Sequence, residues 1–246
     1  MLKSIALGVM SVCSGVVLAA EAPIVATPEQ QFEADVSYLL NSSKTDGATS
    51  DRKQNLTANA LWKRMQGVWG QEVKAQAVSS QSNQNNDDLE RYLLSGKLMH
   101  QQTPSVYQFA KLQLEKDLNT VFDYQATLST GVGYDFVRDD VQVLTGELGA
   151  GVRYNNFQDQ TQKDTQELVG TVGVHYERKL TDTTRFVQDL GYEYGEDASI
   201  LRSKTEVSVA ISKQISGVVS YQVKDTMADA ADARDTVMAV GIKYKH

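Results

Sequence analysis

The chain has 246 residues with 24 basic and 31 acidic side chains, a net charge of -7 and a mean hydropathy of -0.36. That average excludes a bundle of apolar membrane helices, and an acidic balance without a basic stripe excludes nucleic acid as a partner. A membrane β-barrel passes the same filter, because every second residue faces its lumen and lowers the mean.

Lys3 supplies a positive start, Ile5 to Leu18 an apolar stretch, and Leu18, Ala19 and Ala20 a small-residue cleavage zone. This is the pattern of a secretory signal peptide over residues 1–20, cut between Ala19 and Ala22. The apolar run is shorter than the roughly 18 residues that a membrane helix requires. Cys13, the one cysteine, lies inside that run without a small residue before it, which argues against lipidation. The mature chain therefore has neither disulfides nor thiolate metal ligands. A closed, hydrogen-bonded barrel is one way for an exported chain to hold together without them. Residues 21–31 carry two of the three prolines and are expected to form a flexible periplasmic spacer.

From Phe32 onward the chain alternates with a period of two. Phe32, Ala34, Val36, Tyr38 and Leu40 oppose Glu33, Asp35 and Ser37; a polar stretch 41–53 follows, then Leu56, Ala58, Ala60 and Trp62 facing outward. A tight turn at Gln66 and Gly67 leads to Val73, Ala75 and Ala77 against Glu72, Lys74 and Gln76. Beyond a second polar loop at 79–88, Tyr92, Leu94 and Leu98 oppose Arg91, Ser95 and Lys97. In the fifth strand Tyr107 and Phe109 alternate with Val106, Ala110 and Leu112, and the pattern leaves its outward face open. The longest hairpin runs from Tyr124 to Tyr154, with Leu128, Val132, Leu148 and Val152 on the apolar face. The aromatic residues at both ends of that face, Tyr124, Tyr134, Phe136 and Tyr154, stand where a bilayer places its girdles.

Five further strands end with Thr236, Met238, Val240, Ile242 and Tyr244. The reading is all-β: one transmembrane antiparallel up-and-down barrel of about 12 strands over 32–246, with long and short connections in alternation and both termini on the periplasmic side. A soluble sandwich satisfies the same period, but its strands usually run about 5 to 6 residues, whereas crossing a bilayer takes roughly 9 to 11.

The lumenal face carries both signs of charge, among them Glu72, Lys74, Lys97, Glu147, Arg153 and Arg202. An ion-selective pore lines itself with one sign, and about twelve strands lie between filled small barrels and open porins, so a narrow or occluded lumen is expected. His175 faces inward with Glu177 next on the same face, a pair that could form half of a hydrolytic or metal site; a residue in a polar lumenal network is the plainer reading. Asp225, Asp229, Asp232 and Asp235 read as an acidic final loop without the spacing of a calcium site. Gly149 and Gly151 lack the helix and third glycine of a phosphate-binding turn and are expected to ease curvature. No catalytic, cofactor-binding or metal residue is assigned.

Four runs carry a resemblance: Val106 to Asp117 (VYQFAKLQLEKD), Thr130 to Tyr134 (TGVGY), His175 to Phe186 (HYERKLTDTTRF) and Val240 to Tyr244 (VGIKY). In these the chain resembles the YdiY-like family of salt-induced outer-membrane proteins, over essentially all of the mature sequence. The resemblance implies a Gram-negative outer-membrane location, a barrel fold, and a salt or osmotic stress link, and brings no catalytic or binding residues. Implied partners are outer-membrane lipids and the barrel-insertion machinery, which reads the C-terminal strand; members usually end in Phe where this chain has His246. The expected function is a non-enzymatic barrel, structural or a narrow small-solute channel. The alternative is an envelope hydrolase using His175.

Overall fold

A computed structural model describes residues 30–43, 51–82, 89–159, 161–228 and 232–246. The signal peptide, Cys13 and the spacer up to residue 29 lie outside the described residues; Gln30 and Gln31, expected in the spacer, already belong to the first strand. The strands are β1 (Gln30–Ser43), β2 (Asp51–Gln66), β3 (Trp69–Ser82), β4 (Leu89–Gln101), β5 (Val106–Asp117), β6 (Phe122–Arg138), β7 (Gln142–Phe157), β8 (Thr165–Lys179), β9 (Thr184–Gly195), β10 (Ala198–Ala210), β11 (Ile215–Ala228) and β12 (Ala233–Lys245). Each pairs antiparallel with its neighbours in sequence, and β1 also pairs with β12, closing the sheet into a barrel.

The alternating pattern explains the closure. Outward residues such as Leu128, Leu148 and Leu168 stay 55, 62 and 81% exposed, with no second sheet packed over them. Their polar neighbours in sequence point into the lumen, as successive strand side chains must. Aromatic pairs mark both rims of the apolar belt: Tyr124 with Tyr154 at 5.8 Å on one, Tyr134 with Phe136 at 5.0 Å and Trp69 with His100 at 4.6 Å on the other.

The two ends differ. At the end that carries both termini, short turns join the strands. Gly67 takes φ +60° in the first of them, a conformation that glycine adopts without steric cost. In another, the Asp139 carboxylate accepts the N–H groups of Gln142 at 2.7 Å and Val141 at 2.8 Å, which hold it below the usual carboxylate range. At the opposite, loop end the expected long excursions are mostly strand: β11 runs on to Ala228 and β12 starts at Ala233, while Glu196 and Asp197 alone join β9 to β10. Above the lipid both faces of a strand are wet, so the apolar alternation stops although the backbone ladder continues.

The closing seam is short. Glu33–Tyr38 pair with Val240–Lys245, and Phe32 and His246 exchange backbone hydrogen bonds of 3.0 and 2.9 Å. Past Tyr38 and Val240 the two strands are unpaired, although β1 stays paired with β2 as far as Ser43. Asn55 of β2 instead donates to the Met238 carbonyl at 3.1 Å.

Candidate functional site

The lumen is where the chain places its chemistry. Twelve strands about 4.8 Å apart and tilted about 40° would enclose a circular backbone cylinder of roughly 24 Å diameter. Yet Lys224 on β11 reaches Glu115 at 2.6 Å and Asp117 at 2.5 Å on β5, and those strands are six positions apart in either direction round the ring. A Lys and a Glu cannot bridge a circular bore of that width. The barrel is therefore flattened, with β3 to β5 drawn toward β11 and β12. Two more contacts lie on the same short axis: Arg91 to Asp235 at 3.2 Å, and Gln76 to Gln222 at 3.1 Å.

From Glu115 the network spreads sideways. Its other oxygen accepts from Arg202, which donates to Glu193 at 2.7 Å; Gln113 also donates to Glu193, at 3.2 Å. Arg153 joins Glu193 to Glu167, the latter at 2.8 Å, and caps the Ala198 carbonyl. Arg153, Lys224 and Glu115 are 1, 2 and 4% exposed. Apolar side chains fill what the ion pairs leave: Val78, Leu89 and Val237 pack together inside the lumen, and Phe122 and Ile200 are as deeply buried. The loop-side half of the lumen is thus packed from wall to wall.

Toward the turn end the lumen opens. Most ion pairs there join neighbouring strands and lie along the wall: Lys63 with Glu72 at 3.2 Å, Arg185 with Glu177, Lys245 with Glu33 at 2.8 Å. On one side the wall is lined by the inner face of β5, which turns Tyr107 and Phe109 inward. Tyr107 donates to Glu147 at 2.5 Å, and Lys97, which also pairs with Glu147, stands 5.4 Å over the Phe109 ring. Tyr107 lies flat over Gly133: a Cβ there would come within 2.1 Å of the ring.

His175 is in this open half. Its Nδ1 lies 2.6 Å from the Asp189 Oδ1, directly across the β8–β9 ladder, and both side chains are more than a third exposed. Glu177, the partner that the sequence suggested, pairs with Arg185 instead. A lumenal hydrogen-bonded pair is what the geometry shows, and among the described residues no group of three or more His, Cys, Asp or Glu could hold a metal ion.

Sequence reasoning missed several charged residues of the lumen. Lys111, Glu115 and Asp117 were hidden on the unassigned inner face of β5, although they share parity with Tyr107 and Phe109; their charge was the signal for the inward side. Asp235 belongs to β12, not to an acidic loop: it faces the lumen two residues before Val237 and takes hydrogen bonds from Arg91 and from Asn119, the latter at 2.6 Å. Asp225 lies on β11 opposite Arg234, Asp232 accepts from the Ala228 N–H at 3.2 Å, and Asp229 lies outside the described residues.

Comparison with known proteins places the chain. A family model described as "Protein of unknown function, DUF481" matches residues 34–246. The uncharacterized protein YdiY of Escherichia coli (strain K12) is 26% identical over 203 residues, covering 80% of this chain and 75% of the relative. Among solved structures, the NanC porin superposes with a TM-score of 0.53 at 7% identity over 86% of this chain and 98% of its own. The translocator domain of the autotransporter NalP from Neisseria meningitidis gives a TM-score of 0.49 at 11% identity, with 89% of each chain covered.

Proposed function

Because the chain belongs to the DUF481 family of proteins of unknown function and folds as a closed twelve-strand barrel, we propose that it is a non-enzymatic barrel of the Gram-negative outer membrane, sealed on its loop side and open to the periplasm at its turn end. The observation that carries this reading is the contact of Lys224 with Glu115 and Asp117 across the bore. Outward leucines meet lipid, and the insertion machinery reads β12 through Val240 to Tyr244 and the terminal His246. Export through the signal peptide delivers the chain to that machinery. The role is structural within the envelope, with small-solute passage only where the network opens, and the runs shared with salt-induced proteins support a link to salt or osmotic stress.

Planar-bilayer recording tests the seal. The wild-type barrel is expected to insert without current steps, and the double variant Glu115→Ala/Lys224→Ala to conduct. Regular unitary steps from the wild type would sink the sealed reading. Turnover of an envelope lipid or peptide that disappears in His175→Ala would sink the non-enzymatic one.

A further inference from the structure

Of the buried and half-buried cations on the lumenal face whose side chains the structure describes, all but two pair with a carboxylate. Lys63 meets Glu72 at 3.2 Å, Lys204 meets Glu206 at 3.0 Å, Lys97 meets Glu147, and Lys243 meets Glu206. Lys74 and Lys111 form no ion pair and no side-chain hydrogen bond among the described residues.

The two stand together. Lys74 on β3 is in register with Ser95 on β4, and Lys111 on β5 with Lys97 two residues along β4. The three lysines thus fan over adjacent strands, with the outer two strands roughly 10 Å apart. Charged groups near Lys74 include Asp189, Lys204, Glu72 and Lys63; those near Lys111 include Glu193, Arg202, Lys97 and Lys74. Every acid among these is already engaged: Asp189 with His175, Glu72 with Lys63, Glu193 with Arg202 and Arg153. Two ammonium groups are left without a direct ion-pair partner where the open half of the lumen meets the packed half. A half-buried ammonium group without a direct counter-charge is costly, and two such groups on nearby strands attract anions.

We propose that the inner end of the turn-side chamber binds a compact oxyanion carrying two or more negative charges, held by Lys74 and Lys111 with the Ser95 hydroxyl between them. Phosphate and carboxylate groups share the required chemistry. The anion enters from the turn end, so the proposal rests on that end being open and not on the loop-side seal.

The test is thermal unfolding of the full barrel in detergent, with inorganic pyrophosphate or citrate added at ionic strength held constant with sodium chloride. A ligand that binds only the folded barrel raises the midpoint along a saturation curve. The wild type is expected to show such a curve with pyrophosphate, with citrate or with both, and the responding probe identifies the group. Lys74→Gln and Lys111→Gln should each weaken binding about tenfold or more, and the double variant should not respond. Without added anion the double variant should melt no lower than the wild type, because it has lost two like charges; this separates lost binding from misfolding. Lys116→Gln, on the outer wall, should respond as the wild type does. A midpoint that sodium chloride raises equally, or a double variant that responds like the wild type, overturns the site. Current steps from the wild type would overturn the seal and leave this result standing.

Discussion

On the loop side of the lumen, several ion pairs join strands from opposite walls: β11 to β5, β4 to β12, β10 to β5. On the turn side most join adjacent strands, as Lys63 with Glu72 and Arg185 with Glu177 do. Both halves contain Lys, Arg, Asp and Glu in mixed sign, so the content of charge does not distinguish them. The direction of pairing does. A pair along the wall leaves the bore free, whereas a pair across it fills the bore and draws the walls together. A count of lumenal charges therefore says little about whether a barrel conducts.

Three substitutions sharpen that contrast. Arg153→Ala leaves Glu167 without its cation, takes one of two arginines from Glu193, and removes the cap on the Ala198 carbonyl. Breaking a buried pair from one side costs on the order of 3–5 kcal/mol, to be read as a lower temperature for loss of compact gel migration. Gly133→Ala should have a middling effect, about 1–3 kcal/mol, because the new Cβ drives Tyr107 off Glu147. Tyr107→Ala in the same chain should recover much of that loss in a double-mutant cycle, and additive costs would refute the packing of ring on glycine. His175→Ala in the open half should be the mildest, below about 1 kcal/mol, as for solvent-exposed pairs. A loss as large as that of Arg153→Ala would mean that the turn side is as tightly packed as the loop side.

The barrel itself was legible in the sequence. The outward sets around Leu128, Val152, Val219 and Val240 repeat at every second residue, and lipid outside with water inside is a demand that acts at each position separately. The inward side of Arg153, Glu147 and Arg202 was legible in the same way. Which of these residues meet was not legible, because cross-bore contacts depend on the register of twelve strands and on the flattening of the ring, and neither leaves a local trace. The outward face of β5 stayed open for a different reason: Tyr107 and Phe109 look lipid-facing, yet they pack inside over Gly133 and Gly149, which have no side chains of their own to occupy that space. The extent of the loop end was missed because, once above the bilayer, Asp225 and Asp235 no longer follow an apolar alternation while their backbones remain paired.

The brief ladder between Phe32–Tyr38 and Val240–His246 has a mechanical corollary. A ring of staves is no stronger than its least-fastened joint, and here one joint holds over only part of its height. Strain placed on the cylinder, by heat or by a squeezed bilayer, concentrates there, and once that clasp parts the remaining eleven hairpin junctions persist as one curled ribbon.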